Sequence, residues 1–142
     1  MNDPFNLERF VQAQDPVFNE VCSQLRRGKK TGHWMWFVFP QIKGLGPSET
    51  TRFYAISSRA EAQAYLSHPV LGSRLRECTR HVIEIEGRSI AEIFGYPDNL
   101  KFMSSMTLFA HTAADNQLFL DAIKRYFGGQ FDDRTVQLLR QT

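Results

Sequence analysis

Residues 32–46 read Gly-His-Trp-Met-Trp-Phe-Val-Phe-Pro-Gln-Ile-Lys-Gly-Leu-Gly, and this stretch decides whether the chain is entirely helical. Its apolar run, 34–39, holds both tryptophans and two of the twelve phenylalanines. Every residue of the run is apolar, so a buried helical turn and a buried strand paired with residues 52–57 both fit the pattern. Pro40 disfavours helix at Phe39. We expect a short buried helical turn, because an isolated two-stranded ribbon is only marginally stable.

Signals for helix starts and ends recur along the rest of the chain. The clearest helical segment places apolar residues at i, i+1, i+4, i+5 and i+8 from Val17 and ends at Gly28. Ser89 and Glu92 fit a capping box. The other side chains predicted to cap helices are Asp3, Asp15, Ser48, Ser58, Asp98, Asp115 and Asp132 or Asp133. Together these signals predict about seven or eight short helices.

The size and composition of the chain indicate one globular domain. A chain of 142 residues has the length of a single domain and can bury a full hydrophobic core. Hydrophobic residues at 42% and aromatic residues at 13% exclude intrinsic disorder. Neither a repeat of fixed period nor a low-complexity linker divides the sequence. We therefore predict a single compact all-α domain over residues 1–142, an orthogonal multi-helix fold.

Charge, hydropathy and cysteine content predict a cytoplasmic location. The net charge of +2 is too small to indicate an anionic partner. The N-terminal residues lack the basic and apolar segments of a signal peptide, and the longest apolar run, 34–39, is too short to span a bilayer. We expect no membrane partner. Cys22 and Cys78 lie in helical patterns and are predicted to be buried, reduced thiols rather than a disulfide.

The sequence resembles a bacterial family catalogued as domain of unknown function 1810. The resemblance begins with residues 33–41 and 44–46, which resemble the family signature, and covers nearly the whole chain. Further matching motifs lie at residues 61–62, 65–66, 68–69, 71–72, 74–75, 93–95, 97–98, 101, 104–109, 126–129 and 132–135. The resemblance implies an all-helical fold and no particular activity. Some members carry a label suggesting a calpain inhibitor, but such inhibitors are disordered and poor in aromatic residues, unlike this chain.

A first candidate site consists of polar residues at the edges of the aromatic run: His33, Gln41 and Lys43, next to Trp34. An indole face can stack on a flat ring, a lysine can bind phosphate, and a histidine can transfer protons. The structural alternative is that the aromatic residues fill the core and that His33 bonds a neighbouring carbonyl. We expect the core role to hold for most of the aromatic residues.

A second candidate site is a polar cluster on the helix predicted to begin near Asp98. Lys101, Ser104 and Ser105 are spaced three and four residues apart, so they are expected to share a face of that helix with Asp98 at its start. A serine and a lysine at this spacing can act as nucleophile and base if the lysine is desolvated. The structural alternative is that Asp98 caps the helix and that the serines, with Thr107, allow close helix packing.

Three other kinds of site are not predicted. Residues 44–47, Gly-Leu-Gly-Pro, lack the following Gly-Lys-Ser/Thr of a phosphate loop and indicate a tight turn. The four histidines, His33, His68, His81 and His111, show neither i, i+4 pairing nor Cys-x-x-Cys company, so no metal and no cofactor are predicted. One basic cluster at residues 26–30, without a recognised binding motif, does not predict a nucleic-acid partner.

The sequence does not establish a function, but it supports one hypothesis and one rival. We predict a small-molecule pocket where residues 33–46 meet the helix that carries residues 101–107. The expected ligand is nucleotide-like or another anionic aromatic compound, because stacking faces and lysines would then both be used. Whether the protein is also an enzyme is left open by these residues. The rival is a non-catalytic protein-interaction domain that uses an exposed part of the aromatic run.

Overall fold

The computed structural model describes residues 2–142 and shows ten α-helices and no strand within that range. The all-α prediction is therefore confirmed. The helices are α1 (Glu8–Gln14), α2 (Phe18–Arg27), α3 (Met35–Val38), α4 (Glu49–Phe53), α5 (Arg59–Ser67), α6 (Leu71–Glu84), α7 (Ile90–Phe94), α8 (Asp98–Thr112), α9 (Gln117–Phe127) and α10 (Asp133–Arg140). The number exceeds the seven or eight predicted, and three of the ten, α3, α4 and α7, have only four or five residues each. None of the helices in the described range is long and apolar enough to cross a membrane.

The aromatic run forms the short helix α3, as expected, and the alternative of a strand at 34–39 is wrong. The helix ends at Val38, and Phe39 leaves the helical conformation directly before Pro40. Residues 52–57 do make one parallel bridge, but its partner is Ile42, after the run. In this bridge Ile56 N–H donates to the Gln41 carbonyl and Lys43 N–H donates to the Ile56 carbonyl, both at 2.8 Å. The bridge ties the loop after α3 to the end of α4.

Four predicted caps are confirmed by hydrogen bonds at helix starts. Ser48, Ser58, Ser89 and Asp132 each accept a hydrogen bond from the backbone N–H three residues later. The reciprocal bond of the Ser89 capping box, from Ser89 N–H to the Glu92 carboxylate, is 2.7 Å long. Asp3 also caps, although from outside the helix, since its carboxylate accepts from the Leu7 and Glu8 N–H groups at 2.8 and 3.0 Å.

Three predicted acidic caps are wrong. The residues at the N-cap positions of α2, α8 and α9 are Val17, Pro97 and Asn116, and none makes a side-chain capping bond. Two of the misassigned carboxylates pair with cations instead. Asp15 lies 2.8 Å from Arg74, and Asp98 lies 2.8 Å from Lys30. The predicted cap Asp115 is an exposed residue just before α9.

The centre of the fold is α8, which packs against α5, α7, α9 and α10. It buries nine residues on almost every side, so it lacks the polar face of a typical surface helix. Phe102 on α8 packs edge-on against Phe39 at a centroid distance of 5.1 Å and stacks on Phe94 at 5.0 Å. Truncating a phenylalanine at such a position costs about 3–5 kcal/mol. These contacts fix the loop after α3 next to α8, where the candidate site lies.

Candidate functional site

A cavity of about 250 Å³ lies where the loop between α3 and α4 meets α8 and the start of α10. The sequence placed a pocket at the meeting of the same loop and helix. The polar lining residues are Gln41, Thr51, Lys101, Ser104 and Asp132, and the apolar ones are Leu45, Pro97 and Leu100, with Gly46 completing the wall. Convergent polar groups on an apolar wall are typical of small-molecule sites.

Asp132 fixes one side of the cavity through bonds to two helices. Its Oδ2 accepts hydrogen bonds from the Ser104 hydroxyl at 2.9 Å and from the Thr135 backbone N–H at 3.3 Å. The Thr135 hydroxyl donates to the same oxygen. The backbone N–H of Asp132 donates to the Thr107 hydroxyl at 3.0 Å. Within residues 2–142 all the hydrogen bonds to this carboxylate use Oδ2, and Oδ1 accepts none.

Lys101 supplies the positive charge of the cavity wall. Its ammonium lies 3.5 Å from Asp98 Oδ1 and 4.9 Å from the centroid of the Trp36 ring. The other carboxylate oxygen of Asp98 lies 2.8 Å from the ammonium of Lys30, whose side chain is only 6% exposed. Lys30 also donates to the Gly32 carbonyl at 2.6 Å and lies 5.0 Å from the Trp34 ring centroid. Two ammonium groups therefore share the carboxylate of Asp98, while the carboxylate of Asp132 belongs to another part of the cavity wall.

Trp36 links the cavity to a wider groove on the same surface. The groove has a volume of about 540 Å³ and is lined by His33, Trp36, Phe37, Glu49, Thr50, Phe53 and Tyr54. The His33 ring stacks on Trp36 with a centroid distance of 6.5 Å and an interplanar angle of 28°. A narrow crevice lined by Trp36, Gln41, Thr51 and Tyr54 shares residues with both spaces. The cavity and the groove thus lie on either side of this crevice, next to α4.

The structure brings together part of the predicted site. Gln41, Lys101 and Ser104 line the cavity, Asp98 holds Lys101, and His33 is exposed on the groove. Three predicted residues lie elsewhere. Trp34 is buried, and its Nε1 donates to the Gln24 side-chain oxygen at 2.9 Å. Lys43 is exposed and lines neither the cavity nor the groove. Ser105 is buried in the core.

Lys101, Ser104 and Ser105 lie three and four residues apart on α8, but only Lys101 and Ser104 line the cavity. Ser104 and Ser105 point in directions about 100° apart, and Ser105 lies within the protein interior. Ser104 and Lys101, which the sequence offers as a possible nucleophile and base, are not hydrogen-bonded to each other. The Ser104 hydroxyl bonds Asp132, and the ammonium of Lys101 contacts Asp98. Such a pair requires a hydrogen bond between nucleophile and base.

The family model described as "Protein of unknown function (DUF1810)" matches residues 4–139. The chain belongs to the DUF1810 family. This confirms the resemblance carried by the aromatic run and the later motifs. The family description gives no function, and no curated protein matches the chain.

A solved structure supports the fold of this DUF1810 protein. The crystal structure of the conserved hypothetical protein Rv1873 from Mycobacterium tuberculosis, at 1.38 Å, has 58% sequence identity to this chain and a TM-score of 0.97. The match covers 99% of this chain and 100% of that one. It shows the same helical architecture over almost the entire length, in a protein that also has no stated function.

Sequence reasoning on this DUF1810 chain missed Lys30, Trp36, Thr51 and Asp132 as site residues. The position of Lys30 in the basic cluster 26–30 indicated a helix end, and the position of Trp36 in the apolar run 34–39 indicated a core residue. Asp132 gave a signal, because it was predicted to cap α10, and it does so while lining the cavity. Thr51 gave none, since it reaches the cavity from the separate helix α4.

Proposed function

We propose that this DUF1810 protein binds a small anionic compound that carries an aromatic ring, of which nucleotides are the leading class. The observation behind the proposal is the position of Lys101. Its ammonium lines the cavity, lies on the face of Trp36, and within residues 2–142 makes one ion pair at 3.5 Å and no hydrogen bond. An ammonium has three N–H donors, so it can bind a phosphate or carboxylate without losing an existing bond.

The remaining cavity groups suit a ligand that also carries hydroxyl groups. Gln41 offers an amide, Thr51 and Ser104 offer hydroxyls, and Asp132 offers its free carboxylate oxygen Oδ1. At about 250 Å³ the cavity lies below the roughly 300–1,000 Å³ of sites for drug-sized ligands. It therefore fits a phosphate with a small sugar, and the ring of such a ligand would extend along Trp36 into the groove. Stacking of a base on an aromatic side chain contributes about 1–3 kcal/mol.

The proposed function is binding rather than a reaction. Lys101 and Ser104 are not bonded to each other, and each is engaged by a different carboxylate. Binding needs only the charge and hydrogen-bonding groups already present at the cavity.

A thermal unfolding screen with matched lysine variants tests this function. The ligands are nucleoside mono-, di- and triphosphates and simple aromatic carboxylates. A ligand present at about 100 times its Kd stabilises the folded protein by about 2.7 kcal/mol. We expect Lys101→Ala to unfold like the wild type without ligand, because exposed and partly exposed ion pairs contribute about 0–1 kcal/mol, but to lose the ligand-induced increase in Tm.

Lys43→Ala is the control, because Lys43 is an exposed lysine outside both the cavity and the groove. It should keep the full response. The proposed function would be contradicted if no ligand of the set raised the Tm of the wild type. It would also be contradicted if a ligand raised the Tm of Lys101→Ala as much as that of the wild type.

A second candidate function, binding of a protein through the groove, rests on the exposure of Phe53. This side chain is 55% exposed and packs edge-on against Tyr54 at 4.8 Å beside Trp36. Exposed aromatic clusters of this kind mark interaction surfaces. This candidate predicts cross-linking to a cellular protein that is lost in Phe53→Ser and kept in Lys101→Ala. Cross-linking that is kept in Phe53→Ser and lost in Lys101→Ala would favour the small ligand.

We also propose a cytoplasmic location, supported by the state of the cysteines. Cys22 and Cys78 are both free and buried. Unpaired thiols are usual in reducing compartments. Fractionation of cells that express the protein at its natural level, with a cytoplasmic marker enzyme, tests this assignment.

A further inference from the structure

A second polar cluster lies away from the cavity, where α2 packs against α6. Cys22 on α2 and Glu77 and His81 on α6 place a sulfur, a carboxylate oxygen and an imidazole nitrogen within 4.8 Å of one another. Glu77 Oε2 is the centre of the group. It lies 3.5 Å from Cys22 Sγ and 3.3 Å from His81 Nε2.

We propose that Cys22, Glu77 and His81 bind a zinc ion. Zinc binds thiolate sulfur at about 2.3 Å, imidazole nitrogen at about 2.0–2.1 Å and carboxylate oxygen at about 2.0–2.2 Å, in tetrahedral geometry. At a tetrahedral angle these bond lengths separate sulfur from oxygen by about 3.5 Å and nitrogen from oxygen by about 3.3 Å. Both separations in the structure have these values. The third separation, between the Cys22 sulfur and the His81 nitrogen, is within 4.8 Å, and a tetrahedral site needs about 3.5 Å. One ion can therefore contact the three groups after small movements of the side chains.

The chemistry of the three groups selects zinc over magnesium and calcium. Magnesium and calcium prefer oxygen ligands throughout, whereas thiolate and imidazole suit zinc. Three protein ligands with a fourth position left open are typical of zinc sites that also bind water or a substrate group. The side chains of His81 and Glu77 are 17% and 47% exposed, while Cys22 is buried. The ion would thus lie at the protein surface, with its fourth position accessible to solvent.

The sequence predicted no metal site, because the ligands of this one are not close together in sequence. Glu77 and His81 are one helical turn apart on α6, so they share a face. The thiol comes from a different helix, more than fifty residues away in sequence. Spacing rules based on histidine pairs or Cys-x-x-Cys motifs cannot detect such a set.

Titration of the full-length protein with cobalt tests the site, because cobalt in a tetrahedral thiolate site absorbs light and zinc does not. The protein is first treated with a chelator and kept under a reductant. We expect one cobalt ion per chain, a thiolate-to-cobalt charge-transfer band, and loss of this band when zinc is added. Cys22→Ser should abolish the band. His81→Ala and Glu77→Gln should each weaken binding by more than the roughly 10–100-fold that changes around metal ligands cost.

Two control variants make the assignment specific. Glu86→Gln removes an exposed carboxylate outside the cluster, and His33→Ala removes an exposed histidine in the groove. Both should keep the cobalt spectrum and affinity. Glu77→Gln is a surface change that leaves the fold intact even if Cys22→Ser does not fold. The proposal would be overturned if the wild type showed no charge-transfer band, or if the band depended on Cys78 instead of Cys22. Unchanged cobalt affinity in Glu77→Gln and His81→Ala would also overturn it.

Discussion

The guanidinium of Arg9 and the carboxylate of Glu61 form a 2.8 Å ion pair in which the two side chains are only 9% and 3% exposed. Arg9 also donates to the carbonyl oxygens of Phe53 and Ala55, at 2.7 and 2.9 Å. Glu61 accepts two further bonds, from the N–H and the hydroxyl of Ser57. The pair therefore joins α1 to the end of α4 and the start of α5, and it holds one border of the groove in place.

Removing Arg9 should be strongly destabilising, because Glu61 would stay buried without a counter-charge. We expect Arg9→Met to lower the free energy of unfolding by about 3–5 kcal/mol, as for other broken buried ion pairs. Urea denaturation measures this change. The double variant Arg9→Met/Glu61→Gln should recover part of the loss, since it removes the uncompensated charge. If the single and double variants were equally stable, the charge of Glu61 would not be the cause.

Neighbouring serines on α8 should respond in opposite ways to the same substitution. Ser105 is buried and its Oγ has no hydrogen-bond partner among the described residues, whereas the Ser104 hydroxyl bonds Asp132 at 2.9 Å. An unsatisfied buried polar group costs about 1–3 kcal/mol, so Ser105→Ala should be neutral or stabilising. Ser104→Ala should destabilise by about 1.5–3 kcal/mol, the usual contribution of a bond to a charged group. Thermal unfolding of both variants checks the sign, and a destabilised Ser105→Ala would contradict it.

The parts of the fold that the sequence predicted correctly depend on local contacts. The caps Ser48, Ser58, Ser89 and Asp132 bond N–H groups three residues away, so a short window contains both partners. Asp15 and Asp98 failed as predicted caps because the N-cap positions of α2 and α8 are occupied by Val17 and Pro97. Their carboxylates pair instead with Arg74 and Lys30, which are distant in sequence.

The candidate site was predictable in its place but not in its composition. Two polar clusters in apolar surroundings indicated where the loop after α3 and α8 would meet. The rotation of α8 could not be inferred, because the helix buries residues on nearly every side and so has no clear amphipathic pattern. The burial of Ser105 was therefore not evident from the sequence. Thr51 and Asp132 come from α4 and α10, and only the tertiary packing brings them to Lys101.

The capping box of α7 should make stability depend on acid pH. The hydrogen bond from Ser89 N–H to Glu92 holds the pKa of that carboxyl below its usual value of 4.5. Because the folded-state pKa is the lower one, this contribution to stability is present above 4.5 and is lost as pH falls through the folded-state pKa.

A charge-removing variant isolates this effect. Glu92→Ala should have a lower Tm than the wild type at neutral pH, and the difference should shrink as the pH is lowered well below 4.5. Glu86→Ala, at an exposed glutamate outside any capping box, is the control and should leave Tm nearly unchanged at every pH. A Tm difference for Glu92→Ala that stays constant with pH would show that the ionised carboxylate is not responsible, since alanine itself favours helix.

Gly72 is the position where a single added methyl group should damage the fold most. It lies in the first turn of α6, is buried, and its N–H donates to the His68 carbonyl at 3.0 Å. A Cβ atom there would lie 3.0 Å from the carbonyl carbon of Leu66 and would overlap its oxygen. The obstacle is backbone at the end of α5, so it cannot rotate away, and α5 and α6 would have to separate. We expect Gly72→Ala to cost at least the roughly 1–3 kcal/mol of an overpacked core site.

Ser73→Ala, at the next and exposed position, should cost less than about 0.5 kcal/mol. Chemical denaturation of the two variants makes the comparison, and similar free energies of unfolding would mean that the α5–α6 connection can adapt.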